Sequence, residues 1–277
     1  MAKETRIDGI SVFLNAVLYS VFFLQYVSLF VSLLHTWRTS VEFSYGFLIP
    51  PTVAYLIWSR RESLRSAVRG TWLPGLAISL LGCFLLTLSS LSSNLLLGSL
   101  GFAVSSMGAV GYLWGYQCFR IVALPLSVLT LMAPIPSFLL GDLSWHLKVY
   151  ASNLSSAVLS GLGIPVYQDG NLLRLPNYVL EVREACSGTR SMFALLALAA
   201  VLGISTEQKS WKRIVLIAVA PLLATLGNVV RIVGAGLAAS YRGNLAANES
   251  LHAVWGVTTF LGVVFLLVGV QRVLKWG

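Results

Sequence analysis

Long apolar stretches separated by short polar segments make up most of the chain. A helix that crosses the ~30 Å hydrocarbon core of a bilayer needs about 20 predominantly apolar residues. Eight stretches come close to that length or exceed it: 10–34, 43–58, 73–91, 95–114, 121–140, 186–204, 214–240 and 251–274. The pattern therefore predicts an all-α polytopic membrane protein with about eight transmembrane helices.

The connection between the fifth and sixth stretches has a different pattern. Apolar residues recur at near-helical spacing over 142–163, which predicts a helix lying in the membrane interface. Asp169-Gly170 is a turn dipeptide between Val166-Tyr167 and Leu172-Leu173, and a second turn at Pro176-Asn177 precedes another apolar run. We therefore expect an interfacial helix and a small outward-facing β-hairpin or meander before the sixth span.

Composition excludes the common soluble classes of protein. Hydrophobic residues make up 57% of the 277 residues and charged residues only 10%, against roughly 25% charged in an ordinary soluble domain. A soluble enzyme, a disulfide-rich secreted module and a disordered chain are all excluded. No repeat, low-complexity segment or long linker interrupts the sequence. We therefore expect a single integral-membrane domain over residues 1–277.

The net charge of +9 comes from basic residues scattered between the apolar stretches, so we read it as a topology signal and expect no nucleic-acid partner. With the N-terminus in the cytoplasm, twelve Lys and Arg residues fall in cytoplasmic segments and five on the opposite side. This asymmetry predicts a multi-pass protein of the inner (plasma) membrane with both termini cytoplasmic. We also expect the first span to be retained rather than cleaved as a signal peptide.

Polar groups inside a bilayer are costly, so the few found within or beside the last three predicted spans mark a candidate site. These residues are Glu184, Cys186, Arg190, Asn228, Arg231 and His252. The orientation derived from loop charges alone places all of them towards the outer side. Because consecutive elements are usually neighbours in space, we expect these groups to converge on an outward-facing site.

The residue types in this cluster fit nucleophilic acyl transfer. Cys186 begins a predicted helix, where the helix dipole favours a thiolate, and Arg231 supplies a cation. His252 can accept or return a proton. Asn228 is expected to orient Arg231, and Arg190 to pair with Glu184 or with a substrate carbonyl. No His, Cys or Glu cluster at ligand spacing accompanies them, so no metal or other cofactor is expected.

Three short motifs carry a resemblance to a known family. The run EACSGTRS at 184–191 resembles the cysteine motif of the exosortase/archaeosortase family, and Asn228-Val229-Val230-Arg231 resembles that family's Asn-x-x-Arg motif. His252 is similar to the histidine that exosortases carry as their third motif, where archaeal relatives tend to have another arginine. The histidine at position 252 therefore favours the bacterial exosortase side of the family.

The resemblance implies a membrane-embedded cysteine protease or transpeptidase. Its substrates would be membrane-anchored proteins whose C-terminal sorting signal consists of a short motif, a transmembrane helix and a basic cluster, as in the PEP-CTERM signal. By position, Cys186 would be the nucleophile, Arg231 the stabilising cation and His252 the proton-transfer residue. An amine of unknown identity, or water, would accept the acyl group.

Two other function classes remain open. A multi-span transporter would also bury charges along its pathway, although the sequence has no obvious pair of Gly/Pro-interrupted halves. A structural membrane assembly factor would need none of the candidate side chains for chemistry. Both alternatives predict that Cys186 can be replaced with little loss of function.

Overall fold

The computed structural model describes residues 20, 24–176, 178–182, 188–206, 209–242 and 249–276. Of these described residues 82% are helical, and they include a three-stranded antiparallel sheet. The mainly helical architecture with a small sheet is therefore confirmed. The described chain forms two compact units: 1–50 with 60–134, and 51–59 with 135–277.

The first unit consists of helices joined by short turns. Its described α-helices, with α2 continuing into the second unit, are α1 (Val27–Thr39), α2 (Ile49–Ser59), α3 (Arg61–Ser66), α4 (Leu73–Ser92), α5 (Leu95–Trp114) and α6 (Tyr116–Ser127). Two 3₁₀ helices, Val41–Leu48 and Val128–Met132, precede α2 and follow α6.

Helices α4 and α5 form a closely packed hairpin in which glycines meet backbone. A Cβ atom on Gly82 would overlap the backbone nitrogen of Ser105, and one on Gly75 would overlap that of Tyr112. Asn94 begins α5, where its side chain accepts hydrogen bonds from the amides of Leu96 and Leu97. Small residues that let backbones approach are the usual means of packing membrane helices.

Four described helices are long and apolar enough to cross a membrane: Leu73–Ser92, Leu95–Trp114, Ser210–Ser240 and Val254–Lys275. They correspond to the third, fourth, seventh and eighth predicted spans. Two shorter apolar helical segments, Tyr116–Met132 and Thr189–Ser205, overlap the fifth and sixth. The protein is thus a helical membrane protein, and the total of eight spans is not confirmed.

The expectation of one continuous fifth span over 121–140 is wrong. Helix α6 ends at Ser127, a 3₁₀ turn follows, and the chain is extended at Ala133 before the next helix begins at Ser137. Pro134 and Pro136 explain the break. Proline lacks the amide hydrogen that a helix needs and pushes the residue before it towards extended conformations.

The second unit contains the elements around the candidate site. After part of α2 they are α7 (Ser137–Gly161), β1 (Tyr167–Asp169), β2 (Leu172–Leu175), β3 (Tyr178–Glu181), α8 (Thr189–Ser205), α9 (Ser210–Arg242) and α10 (Glu249–Trp276). The strands pair in the order β1-β2-β3, with Leu173 opposite both Gln168 and Leu180. This sheet is the predicted meander, and α7 contains most of the predicted helix at 142–163.

A small apolar core joins the sheet to α7 and α9. Leu173 and Val182 from the sheet region pack with Ala151 of α7 and with Val229 and Ile232 of α9, and all five side chains are buried. Burial of an aliphatic side chain contributes about 1.5–3 kcal/mol. The sheet is therefore fixed against the turn of α9 that carries Asn228 and Arg231.

Two basic side chains at the start of α9 connect it to the C-terminal ends of α8 and α10. Lys212, in the first turn of α9, donates a hydrogen bond to the backbone carbonyl of Leu274 near the end of α10. Arg213 donates from Nε to the carbonyl of Gly203 near the end of α8, at 3.2 Å. Cations at helix C-termini satisfy carbonyls that have no intrahelical partner. Two residues counted as topology signals thus also fix the helix packing.

The α4–α5 hairpin generates the first prediction. Gly82→Leu places a side chain where even a Cβ atom meets the Ser105 backbone, so the two helices must separate. We expect the free energy of unfolding to fall by about 3 kcal/mol. Thermal unfolding of the detergent-solubilised protein measures the change. Gly269→Leu is the control, because a Cβ atom there has no neighbour within 4 Å; equal stability of the two variants would contradict the prediction.

Candidate functional site

Asn228 and Arg231 lie on the same helix, α9, within a span-length apolar segment. Arg231 is about three turns from the C-terminal end of α9, or ~16 Å at 1.5 Å per residue. The Asn228 side chain is only 6% exposed, and Arg231 is partly buried. Each of the two side chains lies against a glycine, one just before α8 and the other within α10.

Asn228 contacts the start of α8 at Gly188. Gly188 precedes the helix with a φ of +80° and accepts the first helical hydrogen bond from the amide of Met192. A Cβ atom at position 188 would lie 3.3 Å from Cβ, Cγ and Nδ2 of Asn228. Glycine adopts this backbone conformation without strain, and a Cβ atom here would crowd the Asn228 amide. The contact therefore sets where α8 begins relative to α9.

Arg231 lies against α10 at Gly256. A Cβ atom at position 256 would lie 3.1 Å from Cζ, 3.2 Å from Nη2 and 3.3 Å from Nε of Arg231. The neighbouring Trp255 donates a hydrogen bond from its indole Nε1 to the backbone carbonyl of Arg231, at 3.2 Å. The backbone and the guanidinium of Arg231 are thus both in contact with adjacent residues of α10.

A small cleft of about 20 Å³ lies between the three helices at this level. That volume is enough for about one water molecule. The cleft is lined by residues of α8, α9 and α10: Ser191, Leu195, Ala224, Gly227, Asn228, Arg231, Gly256, Thr259, Phe260 and Val263. It therefore includes both predicted polar residues of α9 and is otherwise lined mainly by small and apolar groups.

The other predicted site residues have different positions. Arg190 is exposed near the start of α8 and does not line this cleft. Glu184 and Cys186 lie outside the described residues. Position 252 belongs to α10, one turn before Gly256, but the His252 side chain is outside the described part of the structure. The described structure therefore brings Asn228 and Arg231 together and leaves Arg190 at the edge.

Sequence reasoning missed Gly256 and Trp255, which contact Arg231 directly. Helical spacing offered one signal, since position 256 follows His252 by four residues and such positions share a helix face. A glycine on the face that carries a candidate functional residue indicates close approach by another element.

These features define a polytopic membrane protein with a polar site where three of its helices meet. The sequence matches the transmembrane exosortase family over residues 37–269, which is most of the chain. The chain belongs to the transmembrane exosortase family. No match to it was found among the curated proteins or among the solved structures.

The second prediction concerns the contact between Gly188 and Asn228. Gly188 and Gly163 both have positive φ values, +80° and +84°, but a Cβ atom at 163 has no neighbour within 4 Å. Alanine at either position adopts a left-handed conformation, which costs about 1–2 kcal/mol. Only Gly188→Ala also crowds Asn228, so we expect it to lower the free energy of unfolding more than Gly163→Ala does. Unfolding in detergent compares them, and equal losses would rule out a role for the contact.

Proposed function

We propose that this protein is a membrane-embedded cysteine transpeptidase that cleaves C-terminal sorting signals on the outer side of the membrane and transfers the acyl product to an acceptor. The observation that carries the proposal is the arrangement on α9, where Asn228 contacts Gly188 and Arg231 contacts Gly256. These two glycines lie next to the positions of the proposed nucleophile and the proposed proton-transfer residue. Family membership supports the same reaction class.

Covalent geometry limits how far the proposed groups can be from each other. Cys186 is two residues from Gly188, and two residues of extended chain span at most about 7 Å. His252 is one helical turn from Gly256, a rise of about 5.4–6 Å along α10. Because Gly188 and Gly256 contact residues three positions apart on α9, the proposal requires the thiol and the imidazole to reach the guanidinium near this turn of α9.

The proposed reaction uses each group once in every half-reaction. The Cys186 thiolate attacks the scissile carbonyl carbon, and Arg231 stabilises the thiolate or the tetrahedral oxyanion in a medium of low dielectric constant. The carbon–nitrogen bond then breaks, and the His252 imidazolium gives its proton to the leaving amine. The acceptor amine or water next attacks the thioester and loses a proton to His252. The carbon–sulfur bond breaks, and the thiolate is regenerated.

The proposed partners follow from the orientation of the chain. With both termini in the cytoplasm of a bacterial inner membrane, the outer half of α9 faces the periplasm. A substrate held by one transmembrane helix with a cytoplasmic basic cluster presents the preceding segment at this outer level. A PEP-CTERM-like signal has this layout. In this proposal Glu184 and Arg190 are auxiliary residues that bind the substrate.

A transporter and a structural assembly factor are the competing functions. Neither requires a thiol at position 186, whereas a transpeptidase has no activity without it. Removing the sulfur atom at position 186 therefore distinguishes a transpeptidase from a transporter or an assembly factor.

The third prediction tests the proposed function directly. The protein is coexpressed with a membrane-anchored substrate that carries a C-terminal sorting signal, and the cleaved product is followed on a gel. We expect wild type to release the shortened substrate and Cys186→Ala to leave it intact, because alanine has no nucleophilic atom. Cys118→Ala is the control, since Cys118 is a buried residue of α6 in the first unit. Cleavage by Cys186→Ala at the wild-type rate would refute the proposal.

The fourth prediction concerns Arg231. Removing a group that stabilises the transition-state charge in a preorganised site lowers the rate about 10²–10³-fold, so we expect that loss for Arg231→Ala at normal protein levels. Arg231→Lys keeps the charge but loses the planar set of donors, and we expect intermediate activity. Rates of product formation with the same substrate measure both variants. Wild-type rates in Arg231→Ala would remove Arg231 from the mechanism.

A further inference from the structure

We propose that Gly256 and Trp255 are positioning residues for catalysis, which together hold the Arg231 guanidinium across α10 at the level of position 252. This inference rests on the proposed function and extends it to residues that take no part in the chemistry. Gly256 leaves room for the Arg231 guanidinium because it has no side chain, and Trp255 binds the Arg231 backbone through its indole.

The first argument is the close fit at Gly256. Three atoms of the Arg231 head group, Cζ, Nη2 and Nε, lie 3.1–3.3 Å from where a Cβ atom would stand. An alanine at 256 would force the guanidinium to move by a few tenths of an ångström. Misplacement of a catalytic group by 1 Å can lower a rate 10²-fold, so a shift of this size is expected to have a measurable effect.

The second argument is that Trp255 fixes the backbone from which Arg231 extends. Its indole Nε1 donates to the Arg231 carbonyl at 3.2 Å. The same ring lies over Gly234, where a Cβ atom would be 2.5 Å from Cζ2 of Trp255. One side chain of α10 thus contacts both the Arg231 backbone and Gly234, one turn further along α9. Sliding or rotation of α9 against α10 would break both contacts.

The third argument comes from the other glycines of α10. A Cβ atom at Gly262 or Gly269 would have no neighbour within 4 Å. Glycine weakens a helix relative to alanine wherever it occurs, so all three positions carry that penalty. Only Gly256 has a functional side chain lying against it, and that contact distinguishes it from the other two.

The experiment compares Gly256→Ala with Gly262→Ala in the cleavage assay and in thermal unfolding. Both substitutions put a better helix former into α10, so we expect Gly262→Ala to be at least as stable as wild type and Gly256→Ala to remain folded. Cleavage is expected to fall about tenfold in Gly256→Ala only. Equal cleavage by the two variants would overturn the inference, while the third prediction would still stand.

A double-mutant cycle distinguishes positioning of Arg231 from a general packing effect. Alanine at 231 has no atom beyond Cβ, so nothing remains in the place of the Arg231 head group to crowd an alanine at 256. In the Arg231→Ala background we therefore expect Gly256→Ala to change the residual cleavage rate less than about twofold. An undiminished tenfold loss in that background would show that position 256 acts independently of the guanidinium and would refute the inference. Trp255→Phe keeps a ring over Gly234 and loses the hydrogen bond, and we expect a loss of about threefold.

A second measurement needs no substrate. In a variant with Cys83→Ala and Cys118→Ala, alkylation of Cys186 by iodoacetamide reports how well Arg231 stabilises the thiolate. We expect Gly256→Ala to slow alkylation about threefold relative to Gly262→Ala in the same background. Equal alkylation rates would contradict the positioning role. A wild-type protein that is alkylated normally but cleaves no substrate would instead contradict the proposed function alone.

Discussion

A guanidinium within an apolar span is tolerated only when protein groups surround it, and Arg231 imposes this requirement on the helices around it. Its Nε atom is shielded, its head group lies on Gly256, and its backbone carbonyl accepts the Trp255 indole. Leu or Phe at 256 would fill the space that the guanidinium occupies. The buried guanidinium of α9 therefore requires a small residue at position 256 of α10.

The same requirement accounts for how rigidly α9 is held. Apolar contacts at Val229 and Ile232 attach it to the sheet and to α7, on the turns that carry Asn228 and Arg231. Near its N-terminal end, Lys212 of α9 hydrogen-bonds to the end of α10. Because interiors are close-packed and resist small displacements, a helix held at its start and again beside Arg231 keeps its buried charge in one place. Precise placement is what electrostatic stabilisation of a developing charge needs.

Local patterns predicted the elements whose signals are local. The span at 95–114 coincides with α5, and the predicted hairpin joins β1 to β2. Its two turn residues are Gly170 and Asn171, because Asp169 ends β1 and pairs with Leu172. The prediction of a continuous fifth span was wrong because it followed hydrophobicity and disregarded Pro134 and Pro136. Proline interrupts a helix even when its neighbours are apolar. The contacts of Gly256 and Trp255 depend on which faces of α9 and α10 meet. The spacing of residues within one helix shows which of them share a face, but it does not show which face of the other helix they contact.

The motif Asn-x-x-Arg has a structural meaning in this fold that is separate from chemistry. Residues three apart on a helix project from neighbouring positions of one side, so Asn228 and Arg231 can each meet a different helix, α8 and α10. In both cases a glycine lies against the polar group, so backbone forms part of its surroundings. Backbone cannot change rotamer, so this part of the surroundings keeps its position. A helix pair built in this way keeps its cation in one place. Under the proposed function, that is the condition in which a fixed charge lowers a barrier without reorganising during the reaction.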